Sequence, residues 1–104
     1  MERAYESMLI LRPDLDEKER EEVFSRIIKK IESLGGKIDD SKIWAKERGF
    51  QYPLRSRGAE KKKFNKGCYW LLCFCLDAQK LNELKETIRL EERILRNLII
   101  RGDG

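Results

Sequence analysis

Two segments of the chain are amphipathic at helical spacing, and each has a single apolar stripe. In the first, Val23, Phe24, Ile27, Ile28, Ile31 and Leu34 recur every three to four residues, with Lys and Glu on the opposite face. In the second, Leu81, Leu84 and Ile88 repeat the pattern, and Leu90 extends it near the end. A helix with one stripe can bury one side only. Two such helices can cover one face of a sheet and leave the other uncovered.

The remaining apolar runs are short and strand-like. Ala4–Arg12 reads as a strand stopped by Pro13, which cannot donate to a ladder. Asp16-Glu-Lys-Glu19 has the form of a capping box that opens the first helix, and Gly35-Gly36 closes it. Lys37–Tyr52 is extended but polar, as suits an edge strand whose charges discourage pairing with other molecules. Cys68–Leu76 is the most apolar run and takes a central place in the sheet. Asp77 can cap the second helix, and Arg93–Arg101 forms the last strand. The order is β-α-β-β-α-β. The expected fold is therefore α+β, a ferredoxin-like four-stranded antiparallel sheet with two helices on one face. Residues 1–104 read as a single domain with no linker or repeat. Met8 and Ile10 alternate with Leu9 and Leu11, and Leu98 and Ile100 with Ile99, so the uncovered face should carry apolar side chains and attract a protein partner.

The charge is unevenly placed. Between Lys46 and Lys66 there are eight basic and two acidic residues, whereas the other 83 residues hold 15 basic and 17 acidic. Arg55, Arg57, Lys61, Lys62, Lys63 and Lys66 all fall in what reads as a basic loop over residues 53–67. Such a concentration of like charge repels itself, and an anion relieves that repulsion. It suits the phosphate backbone of RNA or DNA, although a merely solvated loop has the same composition. Phe64 inside the run can stack on a base or anchor the loop to the core. Arg89 and Arg93 are explained by pairing with Glu91 and Glu92. Arg96 is a candidate recognition residue, because it sits between apolar residues on a strand.

Other chemistries find little support. The chain has no histidine and three cysteines, Cys68, Cys73 and Cys75. Cys73 and Cys75 point the same way on a strand, but a zinc site needs about four ligands, so no metal and no cofactor are expected. No serine nucleophile motif or phosphate-cradling glycine loop is present, and Asp39 and Asp40 face opposite sides of a strand. An enzyme is not expected, nor a small-molecule substrate. No apolar run approaches the ~20 residues that span a bilayer. With no signal-peptide pattern, cytoplasm is the expected compartment. An RNA-recognition motif shares the element order, but Lys66–Phe74 does not carry its signature, and Tyr69 and Trp70 point to opposite faces.

Several tracts, in order, resemble one family: "YESMLILRPDLDEKE", the helix ending "LGGKI", "FQYPL", "KGCYWLLCF" and "LRLEERILRNLIIR". The chain resembles bacterial small-subunit ribosomal protein number six from Arg3 to Arg101. The resemblance implies the same ferredoxin-like fold, no catalytic activity, and binding to the central domain of 16S ribosomal RNA. It also implies that binding occurs as a heterodimer with ribosomal protein number eighteen. By the same resemblance Arg3, Tyr5, Arg96 and Arg101 meet RNA or partner, together with Lys46, Arg48 and the basic residues that follow Tyr52-Pro53. The stretch from Pro53 to Gly67 is longer than the family pattern. The alternative is a small regulatory or dimerisation module that uses its open sheet face to bind itself or a metabolite.

Overall fold

The computed structural model describes residues 2–55 and 62–102. Its elements run β1 (Glu2–Leu11), α1 (Glu17–Ser33), β2 (Lys37–Arg55), β3 (Lys63–Asp77), a single 3-10 turn (Ala78–Lys80), α2 (Leu81–Leu90) and β4 (Ile94–Arg101). The sheet order is β2-β3-β1-β4, and every pairing is antiparallel. The expected ferredoxin-like order and the central place of Cys68–Leu76 are both found.

Local chemistry accounts for the ends of α1. The Asp16 carboxylate accepts from the Glu19 N–H at 2.8 Å, and the Glu19 carboxylate accepts from the Asp16 N–H at 3.2 Å. Two amides that the helix leaves without partners are thereby satisfied. At the other end Gly35 takes φ +85°, a left-handed conformation open to glycine at little cost. The Gly35 N–H then donates to Glu32 O and the Gly36 N–H to Ile31 O, the paired bonds of a Schellman stop. Asp77 caps the 3-10 turn ahead of α2 rather than α2 itself, accepting from the Gln79 N–H at 2.9 Å.

The core lies between the helices and one face of the sheet. Alternate residues of β3, namely Cys68, Trp70, Leu72, Phe74 and Leu76, are buried against Val23, Ile27 and Ile31 of α1 and Leu84 and Ile88 of α2. Each such Leu, Ile or Phe contributes ~1.5–3 kcal/mol through burial. The Trp70 ring packs on Phe24 at 4.4 Å between centroids, and its indole N–H donates to Ser41 Oγ at 2.8 Å. Leu90 departs from the stripe and is exposed, because α2 ends there.

The 53–67 loop reading is corrected. Pro53–Arg55 belong to β2 and Lys63–Gly67 to β3. Leu54 pairs with Phe64 and Arg55 with Lys63, so the charged stretch continues the hairpin as a ribbon. Residues 56–61, including Arg57 and Lys61, lie outside the described residues. The ribbon extends beyond the core, so its side chains need not alternate apolar with polar to pair.

The start of β4 is tied to α1 by charge. Glu91 is buried and accepts from Arg93 at both carboxylate oxygens, 2.9 and 3.0 Å, and from Arg26 at 3.0 Å. Arg93 also reaches Glu22 at 3.1 Å. Arg93 thus pairs with Glu91 as expected, whereas Arg89 pairs with Glu86. Burial pushes the Glu91 carboxyl up, but the hydrogen bonds and charge of Arg93 and then Arg26 outweigh it, so the pKa falls below the ordinary 4.5. A lowered folded pKa means that the stabilisation is complete above the unfolded value and is lost as pH falls through the folded one. Glu91→Gln should cost roughly 3 kcal/mol at pH 7, the low end of the range for breaking a buried pair because Arg26 is half exposed. The same substitution should cost much less at pH 2. Urea denaturation at the two pH values checks this, and an equal cost at both would contradict it.

Candidate nucleic-acid interface

β1 and β3 each send odd and even residues to opposite faces, and the register fixes which side chains share the uncovered one. Three rows cross it from β4 to β2. Arg96 lies beside Ile10, which lies beside Tyr69 and then Ala45. Leu98 lies beside Met8, then Leu71 and Lys42. Ile100 lies beside Glu6, then Cys73 and Asp40. Leu98 and Ile100 are 63% and 51% exposed, an apolar edge with no helix over it. The face is polar at both ends, with Arg96 at one and Glu6 and Asp40 at the other.

The Arg96 end carries an aromatic cluster. The Trp44 ring meets Tyr69 edge-on at 5.7 Å, and Phe50 lies 6.2 Å from Tyr69. The Arg48 guanidinium sits 4.5 Å from the centre of the Trp44 ring and 5.7 Å from that of Tyr69, within cation–π range. Gly67 makes room for this cluster. A Cβ there would stand 2.8 Å from Ile10 Cγ2 and 2.9 Å from Phe50 Cζ and Leu11 O. On the hairpin, Lys63 and its partner Arg55 continue the same face by strand alternation.

The other expected site residues are distributed elsewhere. Lys46 lies on the helix side, with Arg20, Phe24 and Ile43 around a shallow depression. Lys66 also alternates to that side and reaches Glu47 at 3.4 Å, an exposed pair of little energetic weight. Arg3 pairs with Leu76 of β3 and Arg101 with Tyr5 of β1, core-side residues at the end of the sheet away from the hairpin. Lys62 is exposed between the hairpin strands. Phe64 anchors, with the Arg12 guanidinium 5.1 Å over its ring.

Tyr5 is corrected outright. It is 5% exposed and packs on Phe74 at 5.6 Å between ring centroids, on the helix face. A ring so placed is a core element and offers no face to a base.

Cys73 and Cys75 lie toward the acidic end. Burial and the nearby Glu6 and Asp40 raise the Cys73 thiol above its ordinary pKa; a hydrogen bond to Asp39 at 3.3 Å, with burial, does so for Cys75. Both are held protonated, the form that binds metal poorly. Among the described residues no group of three or more His, Cys, Asp or Glu gathers.

The family model described as "Ribosomal protein S6" matches residues 4–101. The chain belongs to the ribosomal protein S6 family. A small ribosomal subunit protein bS6 from Carboxydothermus hydrogenoformans is 34% identical over 103 residues, covering 99% of each chain. One from Thermotoga maritima is 38% identical over 96 residues, covering 91% of this chain and 69% of the relative. A crystal structure of 30S ribosomal protein S6 from Thermotoga maritima superposes with a TM-score of 0.81 at 39% identity, covering 97% of this chain and 88% of the other. The ribosomal protein S6 family is structural and non-enzymatic.

Trp44 escaped the sequence reading of this family member, because it sits in a polar stretch taken only as an edge strand. The one signal was its large apolar ring among charged neighbours. Tyr5→Ala should lower stability by ~3 kcal/mol, as for other large core truncations, whereas Tyr5→Phe should leave RNA affinity unaltered. Thermal melts and filter binding on both variants check this, and an affinity loss in a folded Tyr5→Phe protein would restore Tyr5 as a contact.

Proposed function

We propose that this chain is a structural constituent of the small ribosomal subunit that binds the central domain of 16S ribosomal RNA through the basic end of its open sheet face and the β2–β3 hairpin. Ribosomal protein number eighteen docks on the apolar remainder of that face. Family membership supports the ribosomal role, and with it a place on the cytoplasmic ribosome.

The observation that carries the RNA reading is the placement of Arg48 and Arg96 on one uncovered face, continuous with Arg55 and Lys63 of the hairpin. A phosphate backbone can follow such a line, and each contact releases a condensed counterion. On the helix side the core strands are covered, and the exposed Lys46 and Lys66 there stand apart from that line. The partner reading rests on Leu98 and Ile100, large apolar side chains exposed side by side on β4. A partner seated there would leave the Arg48 end free for RNA.

Binding to a 16S central-domain transcript should weaken steeply between about 50 and 200 mM salt. Arg96→Ala should lower affinity and reduce the salt slope by about one, with stability changed by less than ~0.5 kcal/mol because the side chain is exposed. Filter binding across the salt range measures both, and unchanged affinity would remove Arg96 from the interface. Leu98→Asp should abolish co-purification with protein number eighteen while leaving the fold intact. Retention of the partner by a folded Leu98→Asp protein would place the docking surface elsewhere.

A further inference from the structure

We propose that Trp44, with Arg48 and Tyr69, forms a stacking seat for one unpaired nucleobase of the bound RNA. The inference deepens the RNA-binding reading and rests on it.

Trp44 keeps about half of its surface exposed, at 51%. Burying a ring of this size is strongly favourable, and a structural tryptophan would turn toward the core as Trp70 does. Instead the backbone is irregular on both sides of it. The β2–β3 register shifts between Ile43 and Ala45 and again between Ala45 and Arg48. Bulges of this kind re-aim side chains and concentrate at functional positions. Here they bring Trp44 and Arg48 onto the same patch, although the two are four residues apart in the chain.

The surroundings select the class of occupant. Arg48 and the edge of Tyr69 brace the Trp44 ring, leaving the rest of it to solvent. A base laid on that ring would bring its phosphates beside Arg48. Arg96 lies across Ile10 from Tyr69, and Arg55 and Lys63 continue along the hairpin. Among the described residues, the open-face carboxylates Glu6, Asp39 and Asp40 belong to the opposite end. The exposed apolar pair suited to a protein, Leu98 and Ile100, is on β4, the other edge of the sheet. An aromatic ring in a cationic setting, apart from the acidic and aliphatic parts of the face, fits an unpaired base of a polyanion.

The test titrates the full chain with a 16S central-domain transcript, with and without protein number eighteen. Trp44→Ala should lower RNA affinity on the order of 5- to 100-fold, as for loss of one stacked base, with the salt slope unchanged because no charge is removed. Trp44→Phe should retain most of the affinity. Trp44 emission should be quenched on binding, a change that disappears in Trp44→Phe while buried Trp70 still reports the fold. Replacing nucleotides one at a time by abasic ones should find a position whose loss matches that of Trp44→Ala and is not additive with it. If Trp44→Ala binds as tightly as the unaltered chain with the salt slope intact, the stacking seat is wrong and the RNA reading stands. A loss seen only when protein number eighteen is present makes Trp44 a protein contact and overturns the proposal. Should the unaltered chain not bind the transcript at all, the underlying RNA reading fails first.

Discussion

Burial of Trp70, Leu72, Phe74 and Leu76 from β3 under one layer of helices is the constraint on which the remaining features depend. The stripes of α1 and α2 together cover that face and no more. Every odd residue of β3 from Tyr69 to Cys75 is therefore turned away from the helices. The uncovered sheet is a consequence of how much apolar surface the two helices carry. Its contents are then set by register, since a slip of one residue would exchange the two faces completely.

Register also separates the charges. β1 stands between β3 and β4, so Ile10 brings Arg96 into the same row as Tyr69, and Glu6 brings Ile100 beside Cys73 and Asp40. The face thus runs from cationic and aromatic at the hairpin end, through an aliphatic row ending in Lys42, to an end where Glu6, Asp39 and Asp40 lie with Lys37. On the function proposed above, such a gradient would orient a polyanion and a protein partner on one surface without overlap. The Glu91–Arg93–Arg26 cluster serves this arrangement indirectly. It pins the start of β4 against α1, and the direction of β4 places Arg96 and Leu98.

The sequence was legible where structure is local. Asp16 and Glu19 are three residues apart, and the stop at Gly35-Gly36 uses only neighbouring carbonyls, so both helix ends of α1 could be read directly. The helical stripes could be read for the same reason, apart from Leu90, where the period outlasted the helix. Tyr5 was carried over by resemblance alone; β1 carries apolar residues on both parities, and only its pairing with Phe74 shows that the ring is buried. The hairpin was taken as a loop because a ribbon outside the core shows no alternation of apolar and polar residues. The site residues came from one charge cluster and one resemblance, and neither contains face information. Lys46 and Lys66 consequently separate from Arg48, and Arg3 and Arg101 fall at the far end of the sheet. Trp44 and Tyr69 lie on different strands and meet only after two irregularities in β2.

Helix packing, strand register and charge thus support one proposal together: one covered face holds the fold, and the hairpin end of the other is offered to RNA. Backbone amide chemical shifts of the protein, recorded with and without the 16S central-domain transcript, test that claim most directly. Shifts confined to β2 and β3 around Arg48, Tyr69 and Lys63, and to β4 around Arg96, are the predicted result. Shifts centred on the outer surfaces of α1 and α2, with those strand amides unmoved, would contradict it.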